Sequence, residues 1–266
     1  MLLVVDVGNT NTVLGVFNKD KLEFRYRVAT NLKRTSDELV ATLFNMFTIH
    51  EIKKEWIDDT IISSVVPDIM YAWQSCNRKL FDKDPIIIDY KTDTGIINDY
   101  ESPKDVGADR IVNAVATFYK YGGPAIIIDM GTAITFDVIT ENGKYLGGSI
   151  APGIRIAQDG LFGMTAQLPK IELRNPTTAI ARTTPESMNA GIVYGYIALI
   201  DGLISQIEDE LINNHDIKSD IKVVATGGYS ELISNESKYI KCIEPDLMLD
   251  GLKIIYDRIN SVINNF

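Results

Sequence analysis

Two kinds of hydrophobic pattern alternate along the chain. Short apolar runs are bounded by turn residues, and longer stretches carry apolar positions at helical spacing. The first run, Leu2-Leu3-Val4-Val5, ends in Asp6-Val7-Gly8-Asn9-Thr10. It is followed by the β-rich Thr12-Val13-Leu14-Gly15-Val16-Phe17 and by a third candidate strand over 21–28. Helical periodicity follows. Ser36-Asp37-Glu38-Leu39 reads as an N-cap with an acidic first turn, and Leu39, Leu43, Met46 and Phe47 fall on one face. A buried strand is predicted over 59–66, ending at Pro67, then a helix containing Trp73 and a short strand at Pro85-Ile86-Ile87-Ile88-Asp89.

The pattern then repeats. Ala125-Ile126-Ile127-Ile128 leads into Asp129-Met130-Gly131-Thr132, then into the strand-like 133–139 and a third strand near 144–150. A long amphipathic helix is predicted from Pro185 to near Asn213, and a strand over 221–226 runs into Gly227-Gly228. A final helix is predicted over 247–263. An opening antiparallel meander followed by strands that return through helices gives a mixed sheet. Two such units in tandem predict an α/β fold of two actin-like (ribonuclease H-like) lobes, each a mixed five-stranded sheet flanked by helices. The expected division is 1–122 and 123–266, at the Gly122-Gly123-Pro124 break, with a nucleotide in the cleft between the lobes.

Composition narrows the function. A net charge of −10 opposes a basic nucleic-acid or anionic-membrane surface, and no uninterrupted apolar run approaches a membrane span. Cys76 and Cys242 are the only cysteines, in no metal-ligand spacing, so a reducing compartment and a cytoplasmic location are expected. His50 and His215 sit in polar surroundings that read as surface.

The repeated acid-x-Gly turns carry the chemistry. Glycine lets backbone approach a phosphate, and Asn9, Thr10, Asn11 and Thr12 supply neutral donors. A carboxylate at the strand end would act on phosphate through Mg²⁺ and its waters, which assigns Asp6 that role. Thr226-Gly227-Gly228 offers a close glycine backbone for adenine or ribose. No Walker-type or Gly-x-Gly-x-x-Gly pattern occurs. Gly107-Ala108-Asp109-Arg110 opens a predicted helix. Asp109 there reads either as a capping acid in a setting that favours its ionised form, or as a carboxylate that takes a hydroxyl proton beside an arginine gripping an anion.

Asp6-x-Gly-Asn-Thr, Gly107-x-Asp-Arg, Asp129-x-Gly-Thr-Ala and Gly147-Gly-x-Ile-x-Pro-Gly153 occur in an order and spacing that resembles the type III pantothenate kinases, over essentially the whole chain. The resemblance implies ATP and pantothenate as substrates and 4′-phosphopantothenate as product. It implies an ATP phosphate loop of Asp6, Val7, Gly8, Asn9, Thr10, Asn11, Thr12 and Val13, with Thr132 as a second phosphate contact. Asp109 becomes the catalytic base, and Gly107, Ala108, Asp109 and Arg110 bind pantothenate with Tyr100 and Thr184, although adjacent Thr183 competes for the last position. Asp129 becomes the ligand of a monovalent cation, K⁺ or NH₄⁺, and the working form a homodimer. Apolar residues Ile192, Val193, Tyr194 and Tyr196 exceed one helix face and read first as core, second as interface. Two other readings share the phosphate loops: a sugar or carboxylic-acid kinase of the same fold, and a non-catalytic ATP-binding regulatory protein, a transcription-linked accessory factor among them.

Overall fold

The computed structural model describes residues 1–215 and 217–263. The chain forms two compact units, Met1–Tyr119 with Leu247–Phe266, and Lys120–Asp246. The C-terminal helix thus groups with the first unit, whereas two continuous halves were expected from the sequence.

In the first unit, β1 (Leu2–Val7) pairs antiparallel with β2 (Asn11–Asn18) and parallel with β4 (Asp59–Ser64). With β3 (Lys21–Ala29) and β5 (Ile86–Ile87) they form a five-stranded mixed sheet, ordered β3-β2-β1-β4-β5. Helices α1 (Ser36–Ile49) and α2 (Met70–Phe81) bury Leu39, Leu43, Met46, Phe47 and Trp73 against Leu3, Val5, Val7 and Val16 of the sheet. A two-residue strand, β6 (Ile97–Asn98), precedes α3 (Ala108–Tyr121), and α7 (Leu247–Ile263) ends the described chain. Helix α7 packs back onto β1, β2 and β4. It is anchored past its midpoint by Tyr256 Oη donating to Asp59 Oδ2 at 2.6 Å and Arg258 Nε donating to Asp93 Oδ1 at 2.9 Å. Those contacts explain why the helix leaves the second unit.

The N-cap of α1 is Thr35, not Ser36. Thr35 Oγ1 accepts from Glu38 N, and the Glu38 carboxylate accepts from Thr35 N at 2.7 Å, a reciprocal capping box. Thr35→Ala is expected to cost about 1 kcal/mol of stability, read as a lower denaturant midpoint at unchanged slope.

The second unit repeats the topology. Its strands β7 (Ala125–Met130), β8 (Ala133–Ile139), β9 (Lys144–Pro152), β10 (Lys222–Thr226) and β11 (Cys242–Ile243) run in the order β11-β10-β7-β8-β9 within a mixed sheet of six strands, one more than the five expected from the sequence. Strand β7 pairs antiparallel with β8 and parallel with β10, as β1 does with β2 and β4. The internal repeat read from the sequence is therefore a repeat of fold. Even-numbered residues of β7 and β8, among them Ile128, Met130, Ile134 and Phe136, bury into the core. The long helix α5 (Thr184–Asn214) covers that face with Ile192, Val193, Tyr196 and Ile200. Tyr194 is half-buried and donates to Pro176 O at 3.1 Å. A helix that the sequence analysis did not anticipate, α4 (Ile154–Gly163), lies beside α5, and a short α6 (Ser230–Ser234) follows β10.

Helix α5 is long and apolar enough to cross a membrane by length and composition, with 28% of its most apolar stretch buried. The run of apolar residues is broken by small and polar ones, which is why a continuous span did not stand out in the sequence. Cys76 is buried, and that burial pushes its thiol up to about 12; both cysteines are free. His50 is exposed and stacks on Phe24 with ring centroids 4.1 Å apart.

Candidate active site

In the first unit, the chain reverses after β1 in a tight turn closed by Gly8 N donating to Asn11 O at 3.1 Å. The turn directs Asn9, Thr10 and Asn11 into solvent, while Gly8 is half-buried and Val7 is packed in the core. Thr12 turns inward: it is buried, and its hydroxyl lies 3.0 Å from that of Thr30. Thr30 Oγ1 donates to Gly8 O at 2.7 Å, so the end of β3 braces the loop from below. Thr30 was not singled out from sequence, because its link to Gly8 spans many residues and leaves no local signature. Asp6 sits at the C-terminal end of β1, opposite Val13 on β2 and Ser63 on β4, and is half-buried.

Asp109 lies in the first turn of α3, whose first carbonyl, Gly107 O, accepts from Arg110 N at 3.1 Å. Its own Oδ1 accepts from Arg110 N at 2.8 Å. Burial raises the Asp109 pKa, and the backbone N–H and guanidinium of Arg110 only partly oppose it. The helix N-terminus was expected to favour the ionised form; desolvation outweighs it here. Space around Gly107 is closed by the same carboxylate, since a Cβ there would meet Asp109 Oδ1 at 2.4 Å and Val65 Cγ1 at 3.3 Å. Val65 N in turn donates to Val7 O at 3.1 Å. Val65 therefore links the end of β1, where the first loop begins, to the start of α3, where Asp109 sits. Ala108 is half-buried, and Arg110 is buried at 8% exposure. Tyr100 stands on a loop held by Asn98 Oδ1 accepting from Tyr100 N at 3.2 Å, with its ring part exposed.

In the second unit the loop Asp129–Ala133 is enclosed by two glycines distant in sequence. A Cβ on Gly153 would meet Thr132 O at 2.0 Å, and one on Gly227 would meet Met130 N and C at 2.6 Å and Asp129 Oδ1 at 2.7 Å. Asp129 pairs in the ladder with Thr226 on β10 and Thr135 on β8. Thr132 is exposed at the loop tip. Thr226-Gly227-Gly228 is thus more than a plain turn, because Gly227, at φ +93, brings backbone against the loop acid. Such glycine-lined backbone beside a carboxylate suits a phosphate and its cation: N–H groups can face oxygen anions, and the acid can serve the metal.

Thr183 caps α5, accepting from Glu186 N at 3.4 Å, and Thr184 is the first residue of the helix proper. Both are exposed and line one wall of a cavity of about 1100 Å³ between α4, the 164–184 segment and α5.

Comparison with known proteins bears on the family and the fold. A sequence model of the family described as type III pantothenate kinase matches residues 2–206. The type III pantothenate kinase of Finegoldia magna is 49% identical over 257 residues, 97% of this chain and 97% of that protein. Among solved structures, a Baf family protein from Campylobacter jejuni superposes with a TM-score of 0.60 at 20% identity, covering 97% of this chain and 99% of the other. An N-acetylglucosamine kinase structure from Porphyromonas gingivalis gives a TM-score of 0.51 at 12% identity over 97% of this chain and 100% of its own. At these identities the two structures speak to fold alone.

Proposed function

Since the chain belongs to the type III pantothenate kinases, which phosphorylate pantothenate with ATP and a divalent metal on the way to coenzyme A, we infer that Asp109 is its general base. The observation that carries this reading is the placement of one half-buried, largely desolvated carboxylate in the first turn of α3, tied through Val65 to the β1 end from which the Gly8 turn departs.

In this reading the pantothenate 4′-hydroxyl oxygen attacks the γ-phosphorus and its proton passes to Asp109. The bond from that phosphorus to the bridging oxygen breaks, and ADP leaves. The transition state is loose, so the base works mainly by orienting the hydroxyl and accepts the proton late. Arg110 grips the pantothenate carboxylate side of the substrate, with Gly107, Ala108, Tyr100 and Thr184 as further contacts. Thr184 is preferred over Thr183, whose hydroxyl is engaged as a cap. Asp6 and the loop to Val13 receive the ATP phosphates, and Thr132 adds a second contact. Mg²⁺, held through water by Asp6, and a monovalent cation, K⁺ or NH₄⁺, at Asp129 would supply positive charge against the triphosphate. A cytoplasmic location fits the free, unpaired cysteines.

The test is ATP consumption with pantothenate as acceptor, with Mg²⁺ present and K⁺ or Na⁺ as sole monovalent cation. Turnover that requires pantothenate and K⁺ is expected. Turnover with a sugar or another acid in its place would sink the acceptor assignment.

The same reading makes the protein a homodimer, joined through the α4–α5 face. Gly191, Gly195 and Gly202 fall on one side of α5 with nothing within 4 Å of an added Cβ, while Met164 and Ile180 nearby are 89% and 86% exposed. A second copy, seated against the cavity wall that Gly191 and Gly195 line, is the occupant that would account for a glycine stripe on so apolar a helix. Gly195→Arg meets open space within one chain, so it is expected to fold normally. It should shift the protein from dimer to monomer in light scattering; an unchanged dimer would place the interface elsewhere.

A further inference from the structure

The two units share one topology, so each position in one has a ladder equivalent in the other. Asp6 pairs with Val13, and Asp129 pairs with Thr135. Two residues along the same strands, and on the same face, lie Gly15 and Asp137. The third strands supply Leu22, opposite Phe17, and Tyr145, opposite Ile139. The first unit thus fills three positions with Val13, Gly15 and Leu22, and the second fills them with Thr135, Asp137 and Tyr145. The fold itself does not call for the polar set.

The polar set is also costly. Asp137 is wholly buried. Burying a carboxylate is unfavourable unless its oxygens are satisfied, and an apolar replacement of similar volume is often at least as stable. Here both oxygens are engaged: Tyr145 Oη donates to Asp137 Oδ1 at 2.6 Å, and Thr135 Oγ1 donates to Asp137 Oδ2 at 2.9 Å. The second bond has a chemical consequence. With its proton committed to Asp137, the Thr135 hydroxyl can present only lone pairs elsewhere. Thr135 stands directly across the ladder from Asp129, at the separation of cross-strand neighbours, roughly 5 Å between Cβ atoms. A carboxylate and a proton-averted hydroxyl side by side form an all-oxygen acceptor pair, which suits a hard cation.

We propose that Thr135 is a second oxygen ligand of the cation served by Asp129, and that Asp137, itself held by Tyr145, is the positioning residue that fixes the Thr135 hydroxyl for that task. The inference rests on Asp129 as the cation ligand and adds to it the residues that build the rest of the site. Outer partners that orient a metal ligand typically change metal affinity by about 10–100-fold when removed.

The experiment is the melting temperature of the full chain, without nucleotide, titrated with K⁺ against a Na⁺ control of equal ionic strength, since a ligand bound only to the native state raises it by mass action. Wild type is expected to show a saturable, K⁺-specific rise that Asp129→Asn loses. Thr135→Val should raise the K⁺ half-saturation by at least about 10-fold, and Thr135→Ser should restore it. Asp137→Asn and Tyr145→Phe should weaken K⁺ by about 10–100-fold. If Asp137→Asn fails to fold, the Thr135 pair alone decides. An unchanged half-saturation in Thr135→Val overturns the proposal and leaves the Asp129 reading standing. No K⁺ response in wild type, or an Asp129→Asn variant that responds like wild type, removes both.

Discussion

Asp109→Asn is expected to lower kcat by about 10²–10⁴-fold while leaving ATP binding nearly intact. The asparagine keeps the shape and keeps an oxygen for the Arg110 N–H that now bonds Asp109 Oδ1 at 2.8 Å. What it removes is the site that takes the substrate proton. Isothermal titration with a non-hydrolysable ATP analogue, beside a steady-state assay, separates the two effects. Equal losses in affinity and turnover would show that the residue holds the nucleotide, and full turnover would show that the proton goes elsewhere.

The raised pKa of Asp109 adds two consequences with definite sign. A base must be deprotonated to act, so the acid limb of kcat/KM is expected at higher pH than an unperturbed aspartate would give, displaced in the direction that burial imposes. For stability, a carboxyl whose folded pKa lies above its unfolded value favours the native state only while protonated. That contribution is present below the unfolded pKa and is lost as pH rises through the folded one. Ionised Asp109 therefore costs native stability at neutral pH. Asp109→Asn should melt at or above the wild-type temperature near neutrality, and the difference should vanish in acid. A mutant that is inactive yet no less stable is what a site built for chemistry predicts; a destabilised one would recast Asp109 as a cap.

The repeat was legible because both β-meanders write the same signal, an apolar run into acid-x-Gly, and burial on both faces of β1 and β7 leaves little freedom in what those runs can be. The cap of α1 was misread by one residue although Thr35 and Glu38 already stand in capping-box spacing. Helix α4 stayed hidden because Ile154, Ile156, Ala157, Leu161 and Phe162 fall on more than one face, with Gly160 among them and Gly163 closing the helix. The period is blurred where one side of a helix packs on its own chain and another side is left apolar. The destination of α7 was not legible at all, since its amphipathic pattern states that one face is buried and says nothing of which sheet covers it. The same holds for Thr30, Val65 and Gly153, whose roles arise from contacts between segments distant in sequence.

Gly227→Ala tests the part of the site that only the three-dimensional structure reveals. Two costs arise together. Residue 227 sits at φ +93, which an L side chain adopts only under strain, and the new methyl would lie 2.6 Å from Met130 N and C and 2.7 Å from Asp129 Oδ1. These neighbours are backbone and a loop carboxylate, so relief requires moving the strand end itself. A loss on the order of 2–4 kcal/mol is expected from strain plus overpacking. The functional loss should be larger than stability alone explains, because displacing the Asp129 loop by even about 1 Å can cost about 10²-fold in rate. Gly228→Ala is the matched control: nothing lies within 4 Å of its added Cβ. If both variants bind ATP like wild type, the Gly227 contact is only structural. If Gly227→Ala alone raises the KM for ATP and Gly228→Ala does not, the close approach of Gly227 to Met130 and Asp129 is what shapes the second loop for phosphate.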